Sequence, residues 1–159
     1  MTKTTLGATT LAVVAAASAG GAANRSGSMQ WYRRLRKPSY VPPKYVFPIA
    51  WTLLYADIAA SAAAAIDHTR ATPQPGMTRS HIAALATNLV LNAGWSWLFF
   101  RHHRLGASAV SAALLTASSA DLVRRFGASR RPGRVLVPYP LWCAFATAMS
   151  THIWQLNRS

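Results

Sequence analysis

Apolar residues in this chain gather into long runs rather than alternating at a strand or single-face helical period, and runs of that length point to a membrane as the solvent. Residues 4–23 form an uncharged run of twenty, enough to cross a hydrocarbon core of about 30 Å at about 1.5 Å per residue. With Lys3 before it and Ala17-Ser18-Ala19 near its end, this run also fits a secretory signal peptide. A retained helix is favoured, because further apolar spans follow and small residues suit close helix packing. The later spans cover residues 44–66, 82–100, 105–123 and 135–156. The third is free of formal charge and closes on Arg101-His102-His103-Arg104, whereas the fourth holds Asp121 and closes on Arg124-Arg125. The predicted fold is all-α: one membrane domain over residues 1–159, built as a bundle of five transmembrane helices.

Residues 24–43 interrupt the pattern with a basic, aromatic, proline-stiffened stretch that turns into the second span. Such a loop is expected to act as a lid over something flat and acidic. Pro42-Pro43 stands where a helix can begin, since proline is tolerated in a first turn, and Pro48 should bend the helix that follows. Pro73, Pro75 and Gly76 mark a polar connector, and residues 127–134 form a short basic one.

Helical residues turn by about 100° each, so Phe47, Trp51 and Tyr55 share one face of the second span. His81, Asn88, Asn92, Trp95 and Phe99 share one face of the third, and Pro138, Trp142, Phe145 and Met149 one of the fifth, with His152 at its edge. Each aromatic could equally be helix packing or an interfacial belt. The two carboxamides are more telling, because facing lipid would be unfavourable and they should turn inward, toward a lined cavity or a neighbouring helix. Asp57 lies off the aromatic face and is expected to point at another helix; a transporter would lean on such an intramembrane acid. Asp121 can pair with Arg124 and Arg125 one turn on.

Charge changes the picture less than its size suggests. Seventeen Lys and Arg against three acids would make nucleic acid the first partner of a soluble domain. Here the bases fall in connectors and at the chain ends, so the lipid bilayer is the expected partner and nucleic acid is not. Lys3, Arg70, Arg79, Arg124, Arg125, Arg130, Arg131 and Arg134 would lie on one side. Arg25, Arg33, Arg34, Arg36, Lys37, Lys44, Arg101, Arg104 and Arg158 would lie on the other, so nine against eight leaves orientation open. Alanine at 31 positions holds mean hydropathy to +0.16. Cys143 alone allows no intramolecular disulfide and no metal motif. Glutamate is absent and the three aspartates lie apart, so no paired-carboxylate site is visible, and no motif supports haem ligation by His81 or His152.

Several blocks together resemble one family. Trp31-Tyr32, Lys37-Pro38, Pro42-Pro43, Phe47-Pro48, Trp51-Thr52-Leu53-Leu54-Tyr55, Asn88, Leu91-Asn92, Trp95-Ser96 and Leu98-Phe99-Phe100 stand in the order of the TspO/MBR family of tryptophan-rich sensory and mitochondrial translocator proteins. Pro138-Tyr139, Trp142, Phe145-Ala146-Thr147, Ile153-Trp154 and Leu156-Asn157 continue it.

That resemblance implies a five-helix bundle, often a homodimer, with no required cofactor. Its first loop would cover a cavity for porphyrins, with protoporphyrin IX or haem as ligand, and face the cytoplasm from a bacterial cytoplasmic membrane. By the same resemblance Tyr32, Trp51, Tyr55, Asn88, Asn92, Trp95, Trp142, Phe145 and Ala146 line the pocket. Phe47 and Phe99 join them on their stripes. Trp51, Trp95 and Trp142 offer stacking surfaces, and Arg33, Arg34, Arg36 and Lys37 suit the propionates. The implied role is porphyrin homeostasis or stress response. The alternatives are light- and oxygen-dependent porphyrin breakdown, with Trp51 and Trp142 as the reacting indoles, and small-molecule transport. Tyr40, Trp97 and Met149-Ser150 depart from the family pattern, and the last helix lacks the sterol-recognition tyrosine, so no cholesterol role is expected.

Overall fold

The computed structural model describes residues 1–24, 26–72, 75–127 and 132–158, and among these every regular element is helical. In chain order they are α1 (Lys3–Gly21), α2 (Ser26–Arg34), α3 (Val46–Ala71) and α4 (Pro75–Ser96), then a π-helical turn (Trp97–Arg101), α5 (Leu105–Gly127), α6 (Pro132–Val135) and α7 (Pro138–Leu156). Arg25, Pro73, Arg130 and Arg131 lie outside the described residues.

Four helical segments, Lys3–Gly21, Val46–Ala71, Gly76–Arg101 and Leu105–Gly127, are long and apolar enough to cross a membrane. The chain is an integral membrane protein. A helix, α7, 19 residues long, covers the region expected as the fifth span, but it is not among the four segments long and apolar enough to cross.

Several expected boundaries need correction. The stretch 24–43 is not all loop: α2 occupies Ser26–Arg34. Nine residues are too few to hold a helix alone, so packing holds this one, through Trp31 and Tyr32 against Phe99. It stops just before Lys37-Pro38, because a residue preceding proline is pushed out of the helical region. The second span starts at Val46 and runs on to Ala71. Pro48 therefore falls in the first turn, where its missing N–H breaks no helical bond, and the reason for a bend there disappears. The third span begins earlier, at Pro75, and its last turn is π-helical, with His102 N donating to Trp97 O at 2.9 Å. The fourth extends to Gly127, and the fifth is divided into α6 and α7.

α1 packs against α3 and α4. Its buried face is Thr5, Thr9, Val13 and Gly20. Thr9 Oγ1 donates to Ala59 O of α3 at 2.9 Å, Thr5 Oγ1 donates to Asp67 Oδ1 at 2.6 Å, and Thr2 N also donates to Asp67. Small residues let these backbones approach closely: Ala59, Ala62, Ala63 and Ala65 of α3 are all buried. The far end of α1 leans on α4 instead. Gly20 allows a close approach, since a Cβ there would stand 3.2 Å from Ser96 Oγ, and Trp97 Nε1 donates to Ala19 O at 2.8 Å.

Asp121 pairs as expected, with Arg124 Nη2 at 2.5 Å and Arg125 Nε at 2.5 Å. Among the described residues Asp57 makes no hydrogen bond or ion pair to another helix; its Oδ1 accepts from Ser61 Oγ, one turn along α3, at 3.0 Å.

Candidate ligand-binding site

A cavity of about 1070 Å³ lies beside the start of α3, between it and the C-terminal end of α1. Small-molecule and cofactor sites commonly measure about 300–1,000 Å³, so this one suits a large ligand. Its roof is α2 with the segment that follows, through Met29, Tyr32, Lys37, Pro38, Val41, Pro42, Lys44 and Tyr45. Ala17, Gly20 and Gly21 of α1 and Phe47, Pro48, Trp51, Thr52 and Tyr55 of α3 form two walls. Asn92, Trp95, Ser96, Phe99, Phe100 and Met149 close the inner side.

The roof is fastened at several points. Arg36 N donates to Asn157 Oδ1 at 3.0 Å, and Asn157 Nδ2 returns a bond to Arg36 O at 2.8 Å. Tyr40 OH and His152 Nδ1 stand 3.4 Å apart. The Trp31 ring stacks on His103 at 3.9 Å between ring centres, and His103 itself holds a left-handed backbone, φ 54°. Lys37 caps the end of α2, its ammonium donating to Tyr32 O and Leu35 O, each at 2.9 Å. Burial holds the Tyr32 phenol above its usual pKa of 10.0, so the hydroxyl in the roof stays neutral.

Two stacked aromatic pairs line the cavity. Trp51 stacks on Tyr55 with ring centres 5.4 Å apart and planes 30° off parallel. Trp95 stacks on Phe99 at 5.4 Å, which covers one of its faces. Behind this wall runs a polar chain that explains the carboxamides. Tyr55 OH donates to Asn92 Oδ1 at 2.8 Å, Asn92 Nδ2 to Tyr139 OH at 3.4 Å, Tyr139 OH to Asn88 Oδ1 at 2.8 Å, and Asn88 Nδ2 to Ser118 Oγ at 3.2 Å. The chain joins α3, α4, α7 and α5. Asn88, Asn92 and Tyr139 are all buried, so both asparagines do turn inward, and both bond neighbouring helices.

Of the expected site residues, the fold brings Tyr32, Lys37, Phe47, Trp51, Tyr55, Asn92, Trp95 and Phe99 into the lining of one cavity. Asn88 lies behind it in the polar chain. Trp142 is one contact back, its ring centre 6.0 Å from that of Phe47, and Phe145 packs on Trp142 at 5.6 Å. Ala146, next along α7, is outside the wall as well. Arg33, Arg34 and Arg36 are exposed and stand outside it. Sequence reasoning missed Ala17, Gly20, Gly21, Met29 and Lys44 as wall residues. The small residues of α1 were legible as packing positions only, whereas Met29 and Tyr32, three apart, were a usable sign of one helical face. His81 is buried against Phe126, away from the cavity.

Comparison with known proteins agrees with this architecture. The family model described as TspO/MBR family matches residues 8–155, which reaches into α1 and takes in both walls and α7. The protein CrtK of Rhodobacter capsulatus is 33% identical over 154 residues, covering 96% of this chain and 93% of that one. The tryptophan-rich sensory protein of Cereibacter sphaeroides is 31% identical over 80% of this chain and 77% of its own. The human translocator protein is 30% identical over 81% of this chain and 76% of its own. The chain belongs to the TspO/MBR family.

Proposed function

We propose that this protein binds tetrapyrroles such as protoporphyrin IX or haem in the cavity beneath α2, and serves porphyrin homeostasis or a stress response. The observation that carries the reading is the cavity itself: about 1070 Å³, walled on one side by the stacked pair Trp51 and Tyr55 and roofed by a basic segment. A flat aromatic disc stacks favourably on indole, and its carboxylates favour a cationic mouth. In this reading α7 is the fifth crossing of one membrane domain over residues 1–159. The chain forms a homodimer in a bacterial cytoplasmic membrane and requires no cofactor.

Titration with protoporphyrin IX in detergent, followed by tryptophan fluorescence, tests the reading. Saturable quenching that weakens in Trp51→Phe is expected. Quenching that fails to saturate, or that is indifferent to Trp51→Phe combined with Trp142→Phe, rejects it.

One observation favours a second reading, light- and oxygen-dependent breakdown of the bound porphyrin. Trp51 lies in the wall, and Tyr55 and Tyr139 adjoin it, at 5.4 Å and 6.4 Å between ring centres, so an indole that reacts with the excited ligand has aromatic neighbours. Trp142 would take part from behind Phe47. Illumination of the complex decides: bleaching of the porphyrin bands no faster than in Trp51→Phe with Trp142→Phe leaves a binding protein only.

A further inference from the structure

We propose that Lys44 is the residue that recognises the ligand's carboxylate, in place of the arginine row at the end of α2. The inference rests on the tetrapyrrole reading and names the charged group of that site.

Two cations lie in the cavity wall, Lys37 and Lys44. Lys37 is already engaged. Its ammonium donates to Tyr32 O at 2.9 Å, Leu35 O at 2.9 Å and Arg33 O at 3.3 Å, which occupies the three donors a lysine has. It also stands 4.8 Å from the centre of the Tyr32 ring. Releasing it to a ligand would uncap α2. Arg33, Arg34 and Arg36 are exposed, outside the wall.

Lys44 differs on each count. It is exposed at the mouth, and among the described residues no acid pairs with it. All three acids of the chain are engaged elsewhere: Asp57 with Ser61, Asp67 with the start of α1, and Asp121 with Arg124 and Arg125. None lines the cavity. Lys44 stands in the turn two residues before α3, and Trp51 faces the cavity from the second turn of that helix, with Phe47 and Pro48 in the wall between them. A disc lying against Trp51 with its acidic edge outward therefore meets Lys44. An ammonium on a flexible stem is a point charge that tolerates variation in carboxylate position, which suits selection for charge rather than for one fixed geometry.

The test compares protoporphyrin IX with its dimethyl ester, which keeps the ring and removes the charge. Binding is measured on the full chain in detergent at low ionic strength. Lys44→Gln is expected to raise Kd for the diacid about three- to tenfold, the range of one partly exposed charge-assisted contact, and to leave the ester unchanged. Lys44→Arg should restore diacid binding, and Arg33→Gln, Arg34→Gln and Arg36→Gln together should change it less than about twofold. The proposal is overturned if Lys44→Gln binds the diacid as the wild type does, if it weakens both ligands equally, or if the arginine triple carries the discrimination. If the wild type binds neither porphyrin saturably, the tetrapyrrole reading itself is rejected and this one with it.

Discussion

Tyr139 donates its phenolic hydrogen to Asn88 Oδ1 at 2.8 Å, with both residues wholly buried. That bond is the centre of the chain running from Tyr55 at the cavity wall to Ser118 on α5. Hydrogen bonds between membrane helices average only about 0.6 kcal/mol, whereas a buried polar group left without a partner costs about 1–3 kcal/mol. The second effect decides here, because Asn88→Ala leaves the buried Tyr139 hydroxyl hydrogen without its acceptor, while the oxygen still accepts from Asn92 Nδ2, and it removes the donor to the half-buried Ser118 Oγ. Asn88→Ala should lose about 1–3 kcal/mol in reversible unfolding in detergent, and Ser118→Ala less than about 1 kcal/mol.

Two glycines should respond in opposite directions. A Cβ on Gly106 would stand 3.1 Å from Trp154 Nε1 and 3.2 Å from Cε2, whereas one on Gly94 meets nothing within 4 Å. Overpacking typically costs about 1–3 kcal/mol, and replacing a glycine inside a helix by alanine gains up to about 1 kcal/mol. Gly106→Ala is therefore expected to lower the Tm and Gly94→Ala to hold or raise it.

The roof should loosen before the bundle does. Asn157→Ala removes both bonds to the Arg36 backbone, each worth about 0.5–1.5 kcal/mol. Amide hydrogen exchange in residues 35–41 should rise at least several-fold, with exchange in α3 and α5 unchanged. Equal acceleration throughout would show that Asn157 supports the whole fold.

Tyr32 supplies a pH dependence with a definite sign. Burial raises its folded pKa above 10.0, so the native state keeps this proton at a pH where the unfolded chain has lost it. Its contribution is complete below about pH 10 and is lost as pH rises through the raised value. Stability should decline in that alkaline range, and Tyr32→Phe should flatten the part due to this residue.

Four of the spans were legible because long apolar runs bounded by basic residues leave few alternatives, and the two asparagines because lipid cannot satisfy a carboxamide. The pairing of Asp121 followed from helical spacing alone. What the sequence hid depends on how helices meet. Gly20 and Trp97 hold the end of α1 against α4, and Ala17, Gly20 and Gly21 there line the cavity as well as pack. Trp97, a departure from the family pattern, is explained by its bond to Ala19 O. α2 was hidden because its prolines and most of its charge lie at or beyond its end. Trp142 shares a stripe with cavity-facing candidates, yet Phe47 is the residue that reaches the wall, a choice made by packing between α3 and α7.

The claim that the ligand lies inside this cavity is tested most directly by filling it. Ala17 faces the cavity from α1 and belongs to neither the polar chain nor the roof, so Ala17→Trp should occupy the space while the Tm changes little. The measurement is the Kd for protoporphyrin IX by fluorescence titration. Loss of saturable binding in Ala17→Trp, with wild-type binding intact, is the predicted result; an unchanged Kd would place the ligand elsewhere and contradict the account.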